Sequence, residues 1–260
     1  MNIVSCKLHY YCNIELNSIK EEVNKLLPKD IRILKLIEVS SSFNAKDCSN
    51  NREYHYILPS FCLKPKIISS NKIEENIDYD YNYKVSNEYK EKIETVLKCF
   101  RGSKKYHNYT KKLTFSDSQS LRTIYEVTIE DIIQFDQIEC IKFKLVGQSF
   151  LYNQIRKMIG MVVSICRDVL DIKLIEKSFG DCFVNTPKAP AEGLYLYRID
   201  YSKYNTKKVN KKNNIDLNDK DIIEINEFSK ELINKVNECE LKDKCFTNWL
   251  KKYDSKEYVY

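Results

Sequence analysis

Residues 141–145, Ile-Lys-Phe-Lys-Leu, alternate apolar and cationic side chains without a break. A period of two puts one face in a core and the other in water, so the stretch predicts an antiparallel strand covered on one side. Less regular runs of the same kind predict strands at 2–11, 31–39, 53–63, 121–129 and 193–201. Elsewhere the apolar spacing changes to three and four. Ser18-x-x-Glu21 reads as a capping box for a helix carrying Ile19, Val23, Leu26 and Leu27, which Pro28 stops. Ile93, Val96, Leu97 and Phe100 share one face of a second helix, which runs into a basic loop at 101–112. A third helix follows Gly147 with Ser149 as its N-cap, and a fourth covers 222–236. Beyond it Phe246, Trp249 and Leu250 form an apolar group expected to dock on the body. Strands and helices follow one another in mixed order rather than as strict βαβ units. The expected fold class is therefore α+β, a mostly antiparallel sheet flanked by helices.

The pattern lapses twice. Residues 64–85 are rich in Asn, Lys, Ile and Asp with no clean period, which predicts an inserted surface loop. Its Tyr79, Tyr81 and Tyr83 either stack on bases or serve no specific purpose. Residues 203–221 are rich in Lys and Asn and nearly free of large apolar side chains, as a flexible linker would be. The expected organisation is a first part at 1–63, the inserted loop at 64–85, a second part at 86–202, the linker at 203–221 and a C-terminal helical extension at 222–260.

One position breaks the amphipathic logic of the third helix. Arg156 lies three or four residues from Tyr152, Ile159 and Gly160 and one further turn from Val163, so its neighbours on that face are mostly apolar. A guanidinium buried there unpaired would cost several kcal/mol, and the fold is expected to supply an acidic or phosphate partner from elsewhere.

Totals narrow the function classes. With 43% hydrophobic residues in 260, the chain can bury a full core as one large domain or two small ones. Five Gly and five Pro speak against collagen-like or linker-rich designs and against glycine loops that cradle nucleotides. A net charge of +6 is compatible with a polyanionic partner without requiring one. Ten cysteines without a C-x-x-C pair, and three histidines far apart, argue against a zinc site or a disulfide lattice and for reduced core thiols. No secretory leader follows Met1. The most apolar window, 158–170, is broken by Arg167 and Asp168 and is too short for a bilayer, so a soluble intracellular protein is expected.

Four segments, in order, carry a resemblance. Phe43-Asn-Ala-Lys46, followed by Arg52-Glu-Tyr-His-Tyr56 and Ile57-Leu-Pro-Ser-Phe61, looks like an F-x-A-[RK] and R-x-Y-x-Y-x-L block. Tyr106-His-Asn-Tyr-Thr110 looks like an F-H-N-Y-T loop with Tyr for Phe. Phe150 through Gly160 is similar to F-x-x-x-x-[IV]-R-x-[IM]-[IV]-G, and Ala189-Pro-Ala-Glu-Gly-Leu-Tyr-Leu196 to A-P-x-x-G-L-x-L. Together they resemble the TruA family of tRNA pseudouridine synthases, most closely its eukaryotic branch, as does Asn248-Trp-Leu-Lys-Lys-Tyr-Asp254 near the end. The family's R-T-D-x-G-x-H signature is not in the 260 residues. In the family it immediately precedes a strand like residues 2–8, so the chain is expected to start just after the nucleophilic aspartate.

The resemblance implies a pseudouridine synthase fold, N-terminally incomplete, with 1–63 the remainder of its N-terminal catalytic half and 86–202 its C-terminal catalytic half. It implies an isomerase that frees uracil from its N-glycosidic bond in tRNA, turns it and rejoins it through C5, with no cofactor and no metal. Tyr54 would stack on the flipped base near the C5 proton, and Arg156 would hold the aspartate ionised and aimed by a bidentate pair. Lys46, Arg52, Lys104, Lys105, His107 and Lys157 fall beside these motifs as candidates for phosphate contacts, each against the alternative of a solvated surface charge. Tyr56 and Tyr195 read as core, and Asp47, Asp117 and Asp200 as solvated side chains or turn formers. The expected partner is tRNA, with no membrane, and the chain a monomer. Three readings stay open: an enzyme whose sequence here lacks its beginning, through a gene-model error or a fragment; a catalytically inactive RNA-binding relative; and a folded fragment without activity.

Overall fold

The computed structural model describes residues 1–8, 15–65, 79–135, 137–206 and 214–254. They fall into two compact units, 1–51 with 198–232, and 52–197 with 233–260.

In the first unit, α1 (Leu16–Leu26) is preceded by Glu15, which makes no side-chain cap, and Ser18 lies inside the helix rather than at its start. Asn24 holds the following segment by a pair of hydrogen bonds with Ile33, one in each direction. The strands expected at 2–11 and 31–39 do not form among the described residues; 9–14 lie outside them. A strand is defined by its ladder, and residues 1–8 and 31–39 have none, with Val4, Leu8 and Ile31 exposed. Phe43 packs on the rings of Tyr201 and Tyr204, and the Tyr201 hydroxyl donates to Ala45 O. Asp200 is a turn former as expected, accepting from Asn50, Asn51 and Ser202.

The second unit is built on a five-stranded sheet. Its strands are β1 (Asn51–Pro59), β2 (Gly102–Lys105), β3 (Leu121–Gln134), β4 (Glu139–Gly147) and β5 (Leu194–Asp200), in the spatial order β2-β3-β4-β1-β5. The pairings β1–β4, β2–β3 and β3–β4 are antiparallel. In β4 the alternation read from sequence is realised: Ile141, Phe143 and Leu145 are buried while Lys142 and Lys144 are not. β3 is bulged twice against β4, which lets its residues 124–134 span the nine residues of β4. Residues 102–105 of the expected basic loop instead form β2, an edge strand, where Lys104 and Lys105 blunt the exposed edge.

α2 (Asn87–Lys98) starts at Ser86, whose side chain accepts from Tyr89 N. It packs on β3 and on α3 (Gln154–Cys166). Ser149 does not cap α3. The helix begins after Asn153, which takes the left-handed conformation at φ 64°, and Gln154 reaches back to accept from Leu151 N. α4 (Lys173–Lys177), α5 (Ser202–Asn205), α6 (Asp219–Asp243) and α7 (Cys245–Asp254) complete the elements.

The C-terminal apolar group docks as expected. Phe246 and Leu250 are fully buried in the core and Trp249 packs against it. The buried Glu240 carboxylate accepts from the amides of Phe246 and Thr247 at the start of α7 and from the Tyr81 hydroxyl. Tyr79, Tyr81 and Tyr83 all pack against the core, so these three rings are structural. At the other end of α7, Arg167 and Asp254 form a buried two-bond ion pair at 2.9 and 3.0 Å, and the Tyr253 hydroxyl donates to Ser164. Cysteine usage departs from expectation: Cys239 and Cys245 are joined in a disulfide across the α6–α7 turn. Of the free thiols among the described residues, Cys62, Cys140 and Cys166 are buried but Cys6 and Cys182 are exposed.

Candidate active site

β1 carries Tyr54 and Tyr56 two residues apart, so both side chains leave the same face of the sheet. Burial follows depth along the strand: Tyr54 is half-buried and Tyr56 fully buried. Tyr54 meets the ring of Phe150, just ahead of α3, edge-on at 5.2 Å between centroids. Its phenol is held above the usual tyrosine range, chiefly by burial, with the Arg52 charge opposing. Burial raises Tyr56 well above that range.

Arg156 sits on the first turn of α3 and is half-buried rather than sealed in. Its Nε donates to Ala189 O at 2.7 Å, and its own backbone carbonyl accepts from Ala189 N at 3.0 Å. The neighbouring carbonyl, Pro190 O, takes the Tyr56 hydroxyl at 2.7 Å. Segment 187–193 is thus bolted to both the helix and the strand through its backbone. Close approach makes this possible. A Cβ on Gly160 would lie 2.1 Å from Pro187 O, and one on Gly193 2.3 Å from Ile57 O.

With Nε spent on a carbonyl, the guanidinium is fixed in direction while its terminal nitrogens are scarcely used. Nη1 has a 3.4 Å contact with Asn153 Oδ1, and no carboxylate pairs with Arg156 among the described residues. A planar fork aimed this way and left open suits two oxygens of one anion. The partner expected from the apolar flanks is therefore not supplied by Asp47, Asp117 or Asp200. Asp117 instead closes a turn through Thr114, which holds its carboxyl below the usual range.

The remaining candidates disperse. Lys46 is in the first unit, on a turn where Asn44 Oδ1 accepts from its amide. Arg52 reaches the end of β4, where Nη1 contacts Gln148 O at 3.4 Å. Lys104 lies over the Phe179 ring at 4.7 Å, and Lys105 donates to Asp117 O at 3.0 Å. Lys157 donates to Asn108 O and Thr110 O at 2.9 and 3.2 Å; burial, then Lys111 and Lys188, lower its pKa. His107 is buried, edge-on to Phe115.

Sequence reasoning passed over Asn108. Its Oδ1 accepts from Val184 N, and its amide donates to Ser178 O and Cys182 O, so one side chain ties loop 106–110 to the chain ahead of segment 187–193. The signal was present, because an amide inside a loop motif is the residue type that can satisfy donors and acceptors at once.

The antiparallel α+β sheet and the open Arg156 guanidinium accord with a pseudouridine synthase. Residues 96–202 match the model of the tRNA pseudouridine synthase family, and the chain belongs to that family. It is similar to the human protein named pseudouridylate synthase 1 homolog, 34% identical over 190 residues, 73% of this chain and 43% of that protein. It is also similar to tRNA pseudouridine synthase 1 of Saccharomyces cerevisiae, 26% identical over 274 residues, covering 78% of this chain and 50% of the yeast protein. The counterpart from Yarrowia lipolytica is 26% identical over 279 residues, 79% of this chain and 52% of that one. The chain spans about half the length of the curated relatives it matches.

Proposed function

We propose that this chain is part of a tRNA pseudouridine synthase that isomerises uridine to pseudouridine in tRNA, inside the cell, as a monomer and without metal or organic cofactor. The observation that carries the reading is the Arg156 fork, fixed through Ala189 O and open at its terminal nitrogens. In the family the R-T-D-x-G-x-H aspartate would occupy that fork. The resemblance then gives the steps: the N1–C1′ bond breaks, uracil turns, C5–C1′ forms, the C5 proton leaves and N1 takes up a proton. Tyr54 is the ring on which the extruded base stacks, and burial raises its phenol above the usual tyrosine range. Arg156 keeps the carboxylate ionised and oriented. Lys46, Arg52, Lys104, Lys105, His107 and Lys157 remain the candidates for the phosphate backbone; Lys105 and Lys157 already hold carbonyls and keep spare donors.

The test is tritium release from tRNA carrying [5-³H]uridine, by this chain preceded by an R-T-D-x-G-x-H segment. Release in step with pseudouridine formation is expected, and Arg156→Lys should lower it at least a hundredfold while tRNA affinity changes less than threefold. No release from the intact site refutes the reading. Because no carboxylate pairs with Arg156 among the described residues, a second reading is an RNA-binding relative, which predicts salt-dependent tRNA binding with no turnover under the same conditions.

A further inference from the structure

A pocket of about 560 Å³ lies between loop 107–115 and the segment at 181–183, and of its lining residues only His107 and Lys157 are among the phosphate candidates above. Its walls carry three lysines, Lys111, Lys112 and Lys157, against one acid, Asp181. Two aromatic rings face the same space, Phe115 and Phe183. Phe183 is 85% exposed, an unusual state for a phenylalanine that packs on nothing.

The floor is more unusual. His107 is only 9% exposed, and its Nδ1 is buried with no hydrogen-bond partner. The other ring nitrogen is accounted for. Nε2 lies 3.0 Å from the Asn108 amide nitrogen and 3.4 Å from Cys182 O, while that amide also donates to Ser178 O and Cys182 O at 2.9 and 2.8 Å. In either tautomer Nδ1 lacks a partner, and a buried polar atom left so costs free energy until something supplies one.

From an exposed ring, a cluster of ammonium groups and a buried ring nitrogen without a partner, we infer that this pocket holds one unstacked nucleotide of an RNA strand. Phe183 stacks the base, Lys111 and Lys112 take the phosphates, and a ribose hydroxyl, able to donate or accept, serves His107. The volume admits one nucleotide and not a duplex. The inference rests on the proposed RNA substrate and adds a contact on α3 beside the Arg156 fork, since Lys157 joins that helix to the pocket wall.

The experiment measures binding of a fluorescein-labelled single-stranded oligoribonucleotide, and of tRNA, to the 260-residue chain by anisotropy across a salt series. Phe183→Ala leaves the fold alone because the ring is exposed, which circular dichroism checks. It should weaken oligonucleotide binding about tenfold, the loss of one base stack, with an unchanged salt slope. Lys111→Gln with Lys112→Gln should instead flatten the slope of log K against log salt by about 0.7 for each lysine removed. Cys182 is a free, exposed thiol in the pocket wall, so bound RNA should slow its alkylation and leave that of exposed Cys6 unchanged. RNA binding by the wild type with all three readouts unaltered overturns the pocket and leaves the family reading standing. If polyphosphate protects Cys182 as well as RNA does and Phe183→Ala is silent, the site binds anions only and the nucleotide assignment fails. No RNA binding by the wild type at low salt refutes the reading on which both rest.

Discussion

Placing a methyl group at Gly160 tests the tightest joint in the site. In Gly160→Ala the new Cβ would stand 2.1 Å from Pro187 O and 2.7 Å from Pro187 C. A comfortable carbon–oxygen contact is about 3.3 Å or more, so helix and segment must separate by roughly 1 Å. The obstacle is backbone on both sides and no rotamer change relieves it. Overpacking of this kind costs about 1–3 kcal/mol. Separation also strains the paired bonds between Arg156 and Ala189, each contributing about 1 kcal/mol. Alanine's better helix propensity returns up to about 1 kcal/mol. The balance is a loss of about 2–3 kcal/mol, a fall in Tm of roughly 5–10 °C for a chain of this size. Gly180→Ala is the control, because its Cβ would meet only Lys177 O at 3.4 Å, and its Tm should move less than about 2 °C. Both are read by thermal denaturation followed by circular dichroism. A Gly160→Ala protein that melts at or above the wild-type temperature would refute the proposed joint between α3 and segment 187–193.

Arg167→Ala leaves Asp254 buried without its main partner and should cost about 3–5 kcal/mol in urea unfolding, whereas Arg167→Met with Asp254→Leu should recover most of that loss; equal losses would show that the charge is not what matters. Glu240→Ala strips the start of α7 of its acceptor and should lower stability by about 1–2 kcal/mol, with Glu240→Gln milder because one oxygen remains. Burial holds the thiols of Cys140 and Cys166 up at about 12, above the unfolded value near 8.5, and raises the phenols of Tyr56, Tyr106 and Tyr109 above 10. The native state keeps these protons after the unfolded chain has lost them, so their contribution is intact below about pH 8.5 and declines as pH rises from there toward 12. Lys157 and the Met1 amino group, both lowered by burial, act in the opposite sense, but two groups against five do not reverse the trend. Urea midpoints measured from pH 7 to 11 should fall, and Cys140→Ala with Cys166→Ala should flatten the decline above pH 8.5; a flat profile in the wild type would contradict the assignment.

Where periodicity alone decided the structure, it was legible. Residues 141–145 alternate because one face of β4 lies in the core and the other does not, and α2 could be read because Ile93, Val96 and Leu97 face the core at helical spacing. Residues 2–8 and 31–39 look the same to periodicity, yet pairing depends on a neighbour, which a pattern within one segment does not encode. Lysines at 104 and 105 hid β2, because an edge strand tolerates the charges that a loop also prefers. The start of α3 was misplaced by several residues because Asn153 makes its turn in a left-handed conformation that asparagine tolerates but does not announce. Cys239 and Cys245, six residues apart, become partners only once the α6–α7 turn brings them together.

The site shows a deeper limit on reading side chains. An arginine flanked by apolar residues asks for an anion, which accords with the open terminal nitrogens of Arg156 but does not say what aims them. Its aim comes from the Ala189 carbonyl, an atom every residue type possesses. Pro190 likewise contributes its carbonyl to Tyr56, and Gly160 and Gly193 contribute the absence of a Cβ. The A-P-x-x-G-L-x-L segment thus works through its main chain, and its side chains are what remains when bulk is removed and the backbone is stiffened. Alanine, proline and glycine carry no chemistry of their own, so composition cannot mark such a segment. Its role became visible only when the two carbonyls were found in the grip of an arginine and a tyrosine from different elements.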